Sequence, residues 1–120
     1  MEDLVWVQWY ATIFRSKSFA ESVAEVAPIA LRYGATQYQV HVSADDMYKV
    51  TQMTWVPDHA SWYSYWEGPE MVEFRARYAG KYQIPIVYAW ADEIASGSRV
   101  EGIENGTAEP APSPVSSPAA

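Results

Sequence analysis

The strongest constraint on the fold is a segment, residues 4–14, that is apolar on both sides of a strand alternation. Successive side chains of a β-strand point to opposite faces of the sheet. One face would carry Leu4, Trp6, Tyr10 and Phe14, and the other Val5, Val7, Trp9, Ala11 and Ile13. The pattern therefore predicts a strand that is covered on both faces, because large apolar patches are rarely left in water.

A helix is predicted next. Ser18 and Glu21 have the spacing of a capping box, and an apolar stripe with helical periodicity follows them. The stripe stops at Gly34, where we expect the helix to end. Pro28 lies inside this helix and removes one backbone hydrogen bond, so it predicts a kink or a short irregular turn.

Two further strands are predicted over residues 36–43 and 47–56, which are rich in β-branched and aromatic residues. The three residues Ala44-Asp45-Asp46 separate them and predict a short hairpin turn. Carboxylates are ordinary at such a turn, and no further metal ligand lies at a recognised spacing. We therefore expect no metal site there.

The rest of the domain is predicted as a helix, a second helix and a strand. Asp58 is placed to cap the first helix, and Pro69 suits the first position of the second, which ends at Gly80. Residues 84–90 predict a fourth strand that is again apolar on both faces. We expect Trp and Tyr side chains of the first and fourth strands on the face that the helices leave bare.

The order β-α-β-β-α-β is typical of the ferredoxin-like α+β fold, in which helices cover one face of a four-stranded antiparallel sheet. The other face stays bare, and a second copy of the chain is the nearest cover for it. Two such sheets packed face to face would bury on the order of 1,000 Å² or more, the scale of a stable interface. The sequence thus predicts a homodimer.

The composition changes near Ser96. Residues 96–120 contain no aromatic residue and are rich in proline, alanine and serine. Such a segment cannot bury enough apolar surface to offset its ordering entropy. We predict one domain over residues 1–95 and a disordered, mildly acidic tail over residues 96–120, whose prolines leave open the docking of a protein partner.

Charge and cysteine content exclude several function classes. The net charge of −7 disfavours nucleic-acid partners, which need clustered Lys and Arg. The chain has no cysteine, which rules out disulfides, thiolate catalysis and Cys-ligated metals. Acidic residues precede the first apolar run, and no stretch approaches the roughly 18 apolar residues of a membrane span. A cytoplasmic protein without membrane contact is expected.

One stretch carries a family resemblance. Trp55-Val56-Pro57-Asp58-His59-Ala60-Ser61-Trp62 leads through Tyr65-Trp66-Glu67-Gly68-Pro69-Glu70-Met71 into Phe74-Arg75. Because of this pattern, residues 3–93 resemble the dimeric α+β barrel superfamily. Within that superfamily they resemble the small antibiotic-biosynthesis-monooxygenase-like (ABM-like) proteins. The resemblance implies a dimeric α+β barrel. It leaves the chemistry open, because the fold hosts oxygenases, haem degraders, dismutases, isomerases and proteins of no known activity.

The haem-degrading branch of this group is not expected here. That branch carries an Asn on the first strand, a Trp on the penultimate helix and a His about ten residues later. The corresponding positions hold Gln8 or Trp9, Tyr65 or Trp66, and Arg75. Only the aromatic residue is retained, so the resemblance implies no haem, and we expect no cofactor.

Cofactor-independent oxygenases of the group need a dry aromatic pocket and a polar group that steers deprotonation. The resemblance implies a ligand pocket between sheet and helices, with Gln8, His41 and Arg75 as candidate catalytic groups. Against a pocket, large aromatic residues also fill cores and dimer interfaces. The candidate ligand-binding residues are Trp9, Trp62, Tyr65 and Trp66.

Two functions follow as hypotheses. The first is a homodimeric small-molecule-binding protein, in one form a cofactor-independent monooxygenase-like enzyme acting on a hydrophobic aromatic compound. The second is a non-catalytic dimeric scaffold or accessory subunit that binds a protein partner. The sequence names no substrate for the first and no partner for the second.

Overall fold

A computed structural model of the chain describes residues 2–99. Most of the predicted tail, residues 100–120, lies outside the described residues, so its disorder stays a prediction. Residues 96–99 are exposed and belong to no helix or strand. The predicted boundary at residue 95 agrees with the last strand ending at Ala91, although the division itself stays a prediction.

The element order confirms the predicted ferredoxin-like α+β fold. One antiparallel sheet has the strand order β2-β3-β1-β4, which places β1 and β3 in the middle. No helix among residues 2–99 has the length and apolar character needed to cross a bilayer. The elements are β1 (Asp3–Tyr10), α1 (Ser16–Val26), a 3₁₀ helix (Ala27–Tyr33), β2 (Gln37–Val42), β3 (Lys49–Val56), α2 (His59–Trp66), α3 (Pro69–Arg77) and β4 (Tyr88–Ala91).

The core lies between the sheet and the helices. Val5, Val7 and Trp9 of β1 point into it and are fully buried. The helices contribute apolar side chains at helical spacing, among them Phe19 and Val23 of α1. The alternation of β1 predicts that both of its faces are covered, and the structure places this one under the helices.

The opposite side of the sheet has no cover among residues 2–99, and we call it the open face. Its two largest exposed side chains are Trp6, 46% exposed, and Tyr10, 40% exposed. Half-buried Trp55 and Met53 of β3 lie on the same side. The open face consists of Leu4, Trp6, Gln8, Tyr10, Gln37, Gln39, His41, Lys49, Thr51, Met53, Trp55, Ala89 and Ala91.

The predicted end of the first strand was wrong. β1 stops at Tyr10, and Ala11 forms only an isolated bridge with Tyr82. Beyond that point the chain turns, leaving Ile13 and Phe14 exposed, with Phe14 at a φ of 67°. The neighbouring β3 begins only at Lys49, opposite Tyr10, so no partner strand extends beside the turn.

The fourth strand is shorter than predicted. β4 begins at Tyr88, and residues 84–87 precede it without strand pairing. Pro85 has no N–H to donate to a ladder, which accounts for the late start. The two faces of β4 also carry different residues from those predicted, since its Trp and Tyr were expected on the open face. Its Tyr88 and Trp90 pair with Val7 and Val5 on the helix side, whereas alanines occupy the open face.

The first helix begins earlier than predicted and without a capping box. Arg15 occupies its N-cap, and no side chain accepts a hydrogen bond there. Ser18 is already inside the helix and its hydroxyl donates to the Arg15 carbonyl at 3.3 Å. Pro28 changes the helix geometry as predicted, because the chain continues from Ala27 as a 3₁₀ helix.

The signals at Asp58, Pro69 and the hairpin turn are confirmed, whereas α3 ends at Arg77, before the predicted end at Gly80. The carboxylate of Asp58 accepts a hydrogen bond from the Ser61 N–H at 2.8 Å, which caps α2 and lowers the pKa of Asp58. Pro69 occupies the first turn of α3. In the hairpin turn, the Ser43 hydroxyl accepts hydrogen bonds from the N–H groups of Asp45 and Asp46, both at 3.2 Å.

The left-handed backbone at Gly34 can be tested by substitution. Gly34 ends the 3₁₀ helix with a φ of 107°, and a Cβ placed on it would lie 2.9 Å from Ser61 Oγ. We expect Gly34→Ala to lower the free energy of unfolding by about 1–2 kcal/mol through the left-handed backbone alone. The contact with Ser61 adds to this loss, and urea denaturation measures the sum.

Gly80 is the matched control, since it has a φ of +89° but nothing within 4 Å of an added Cβ. Gly80→Ala should therefore show the backbone cost without the contact. Adding Ser61→Ala to Gly34→Ala should bring the loss down toward the Gly80→Ala value. A Gly34→Ala variant as stable as the wild type would contradict the described backbone.

Candidate functional site

The four predicted ligand-binding residues come together between the sheet and the helices. Trp9 projects from β1, and Trp62, Tyr65 and Trp66 project from successive turns of α2. The Trp62 and Trp66 rings are stacked with centroids 5.3 Å apart, and Trp66 lies 5.9 Å from Trp9. All four residues are at most 6% exposed, so in this structure the rings fill the layer themselves.

A chain of hydrogen bonds runs through this layer. The Trp9 indole Nε1 donates to Gln52 Oε1 at 3.1 Å, and Gln52 Nε2 donates to the Tyr65 hydroxyl at 3.0 Å. The Tyr65 hydroxyl in turn donates to the Val26 carbonyl at 2.9 Å. Burial raises the pKa of Tyr65, so the phenol keeps its proton and stays a donor. We call these four residues the buried network.

Three buried polar atoms near this network have no hydrogen-bond partner among the described residues. They are the Thr54 hydroxyl, the indole Nε1 of Trp62 and the Nη1 of Arg75. Buried polar groups are paired in the great majority of native structures, so each exception needs an explanation. Two of the three atoms are pure donors, because indole and guanidinium nitrogens carry no acceptor capacity. These two donors therefore have no acceptor among the described residues.

Arg75 lies at the edge of the aromatic cluster. Its guanidinium carbon is 4.4 Å from the Trp66 ring centroid, within the range of a cation–π contact. The nearest carboxylate oxygen, on Glu67, is 3.9 Å away, and the Arg75 side chain is only 20% exposed. The positive charge of Arg75 thus faces the aromatic layer with little neutralisation from the surface.

The other two candidate catalytic residues are not part of this layer. Gln8 and His41 lie on the open face, in one row across the sheet with Thr51 between them. Gln8 binds Thr51 and the Val50 carbonyl, and His41 Nε2 contacts Gln39 Oε1 at 2.9 Å. The expectation that either residue supplies the polar group of a pocket beneath the helices is corrected, because the sheet separates them from it.

Sequence analysis missed Gln52, Thr54 and Tyr88 as members of the layer. Gln52 and Thr54 are fully buried, and the Tyr88 ring packs edge-on against Trp62 and Trp66. Their position follows from the strand alternation, since Gln52 and Thr54 share a face with Val50 and Val56. Polar residues on the apolar face of a strand were the available signal.

Two further side chains lie outside the layer. His59 is exposed and stacks on Trp90 with ring centroids 3.8 Å apart. Arg77 pairs with Glu73 at 2.8 Å. Within residues 2–99, no group of three or more His, Cys, Asp or Glu side chains is arranged to hold a metal ion.

A surface groove of about 260 Å³ lies outside the aromatic layer, between α1 and α3. None of the predicted site residues lines it. The aromatic layer and this groove are therefore separate candidates for ligand binding. The groove is lined by Ser22, Glu25, Val26, Ile29, Glu70, Glu73, Phe74, Arg77 and Tyr78.

The sequence matches no family model and no curated protein. Solved structures nevertheless resemble it. A Nitrosomonas europaea protein proposed to be an antibiotic biosynthesis monooxygenase superimposes with a TM-score of 0.69 at 14% identity, covering 78% of this chain and 90% of that one. A Bordetella bronchiseptica protein with the same proposed activity gives 0.67 at 14% identity, covering 78% and 97%.

A variant of SnoaB, a cofactor-independent oxygenase from Streptomyces nogalater, gives a TM-score of 0.66 at 10% identity. The match covers 79% of this chain and 95% of SnoaB. At these identities the likeness shows the fold alone. The chain therefore has the ABM-like fold, and the resemblance stated from the sequence is confirmed at that level.

The buried network predicts that removing the Tyr65 hydroxyl lowers the stability of the fold. Tyr65→Phe leaves the Val26 carbonyl and the Gln52 amide without a partner, while the ring and its packing stay. We expect a loss of about 1–3 kcal/mol in the free energy of unfolding, measured by urea denaturation.

Tyr63→Phe is the matched control, because Tyr63 lies on the same helix, is 44% exposed and makes no hydrogen bond through its hydroxyl among the described residues. It should unfold within about 0.5 kcal/mol of the wild type. Equal stabilities of the two variants would show that the buried network does not form.

Proposed function

We propose that this protein is a homodimer that binds a hydrophobic aromatic compound in the layer between its sheet and its helices. The observation that carries the proposal is two buried donors amid tryptophan and tyrosine rings, Trp62 Nε1 and Arg75 Nη1, that have no acceptor among residues 2–99. A bound compound with acceptor oxygens would give these donors partners. The likeness of the fold to proteins named as oxygenases adds support.

The chemistry of the layer favours an aromatic ligand that carries a carbonyl or phenolate oxygen. Its ring would stack among Trp62, Trp66 and Tyr88, and its oxygen would accept from the unpartnered donors. Hydrogen bonds to a charged group are stronger than neutral ones, which favours the ionised form of a phenol beside Arg75. Thr54 adds a hydroxyl that can donate or accept.

Because the rings fill the layer, entry of a ligand requires side chains to move. Arg75 is 20% exposed at the edge of the layer, and its guanidinium lies over the Trp66 ring. Moving both side chains breaks this cation–π contact and the 3.9 Å ion pair with Glu67. It also breaks the ring contacts of Trp66 with Trp9, Trp62 and Tyr88. The buried network stays intact in this movement, since neither side chain belongs to it.

An oxygenase reaction fits the same layer. Cofactor-independent oxygenation relies on the electron-rich anion of the substrate, which needs a water-poor site and a positive charge. The layer supplies buried aromatic walls and the Arg75 guanidinium. We therefore propose cofactor-independent monooxygenase-like chemistry as the enzymatic form of this function.

Matched arginine variants test the ligand site, with 1-naphthol as the probe and isothermal titration calorimetry as the measurement. Arg75→Met keeps much of the side-chain volume and removes the donors, so naphthol affinity should fall about tenfold or more. Arg77→Met is the control, since Arg77 is exposed on the same helix and pairs with Glu73. An oxygen electrode then distinguishes consumption of O₂ from binding alone.

Equal naphthol affinities of the two arginine variants, or no binding by the wild type, would contradict the ligand site. The second candidate function would then apply, a non-catalytic dimeric scaffold or accessory subunit. The filled layer favours it, because Trp9, Trp62 and Tyr65 pack as an ordinary core would. Contact with another protein through the predicted tail is part of that alternative.

The open face of the sheet supports the proposed homodimer. Its exposed aromatic residues, Trp6 and Tyr10, lie beside half-buried Trp55 and Met53 on the side of the sheet that residues 2–99 leave uncovered. Several of its polar side chains already bind one another, as Gln8 does Thr51 at 3.0 Å. The open face of a second copy would bury Trp6 and Tyr10 on contact. The polar side chains of the face would keep the hydrogen bonds that they make with one another.

Trp6→Glu tests the dimer by placing a charge at the centre of the open face. We expect the dimer dissociation constant to rise by about 100-fold or more, measured by light scattering over a concentration series. Val72→Glu is the matched control, because Val72 is 47% exposed on α3, on the helix side. A wild type that is monomeric at all concentrations would contradict the dimer.

A further inference from the structure

The groove between α1 and α3 has the shape of a second ligand site. The two helices run antiparallel, since Tyr33 beyond α1 meets Glu70 at the start of α3, and Phe19 at the start of α1 meets Phe74. Ser22, Glu25, Val26 and Ile29 line one wall at helical spacing. The volume of about 260 Å³ is near the lower end of small-molecule pockets.

The floor of the groove is apolar and partly aromatic. Val26 and Phe74 are almost fully buried there, with Ile29 half-buried beside them. The Tyr78 ring lies 4.8 Å from Phe74, and the Lys81 ammonium sits 5.8 Å from its centroid. An aromatic face in this position already attracts a cation from the protein's own chain.

The rim of the groove is rich in carboxylates. Those of Glu25, Glu70 and Glu73 line it, together with the Arg77 guanidinium. Arg77 pairs with Glu73 at 2.8 Å, and Arg32 lies 4.0 Å from Glu70. Glu25 makes no ion pair with any residue between 2 and 99. Glu25 is thus the rim carboxylate that has no ion-pair partner in this part of the chain.

Glu70 is held in place as an ion. Its carboxylate accepts a hydrogen bond from the Tyr33 hydroxyl at 2.5 Å, and that bond lowers the pKa of Glu70. The bond also fixes the side chain at the rim rather than leaving it to extend into solvent. A negative group of fixed position is what an incoming cation needs for a directed contact.

From the apolar floor and the acidic rim, we propose that this groove binds a small organic ammonium compound with an aromatic body. The ring would rest on Phe74 and Tyr78, and the ammonium would lie between Glu25 and Glu73. The net charge of −7 on the whole chain favours approach of such a cation and disfavours an anion. This site is separate from the aromatic layer and does not depend on the function proposed for it.

A set of three probes with one skeleton tests the charge preference in the full-length protein. They are phenethylamine, which is an ammonium ion at pH 7, neutral 2-phenylethanol and anionic phenylacetate. In ¹H–¹⁵N NMR titrations, the amine should shift the amide signals of Val26, Ile29, Phe74 and Tyr78. Its affinity should exceed that of the alcohol about tenfold, and phenylacetate should not bind.

Matched glutamate variants locate the site. Glu25→Gln should weaken phenethylamine binding about threefold and leave 2-phenylethanol binding unchanged. Glu21→Gln is the control, because Glu21 is exposed on the same helix but does not line the groove. Equal affinities for amine and alcohol, signal changes confined to other residues, or equal effects of the two variants would each overturn the proposal.

Discussion

The whole architecture depends on β1, a central strand whose side chains are apolar on both faces. Antiparallel pairing with β3 and β4 holds it in the middle of the sheet. One face is buried under the helices, where Val5, Val7 and Trp9 have no exposed surface. Residues 2–99 leave the other face without cover. In the proposed dimer a second copy covers it, because each protomer presents the same surface and the contact closes on itself.

Polar groups divide the helix-facing layer into a satisfied part and an unsatisfied part. Trp9, Gln52 and Tyr65 pair with one another and with the Val26 carbonyl, which fixes the positions of sheet and helices. Next to them Trp62 and Arg75 carry donors that meet no acceptor among residues 2–99. A core selected for packing alone gains nothing from such donors, because an unpaired buried group costs free energy. This contrast is the physical reason to regard the layer as a binding site.

The fold was predictable because its local signals agree with one another, whereas the site was predictable only in part. Asp58 and Pro69 marked helix starts through capping and backbone geometry, which act locally. β1 ends early because its neighbour β3 begins only opposite Tyr10. The face of the sheet on which Tyr88 lies is set by the register of β4 against β1. Local sequence determines neither of these pairings. Gln52 was missed because β3 carries large apolar residues on both faces, so hydrophobicity alone does not show which face is inside.

The most direct test of the account is the NMR signal of the Trp62 indole N–H. Each of the six tryptophans gives one such signal, and substitution assigns them. During titration with 1-naphthol, the Trp62 signal should move downfield as its N–H gains an acceptor, while the Trp9 signal stays in place because Gln52 already accepts from it. A Trp62 signal that does not respond, at concentrations where naphthol is bound, would contradict the central claim.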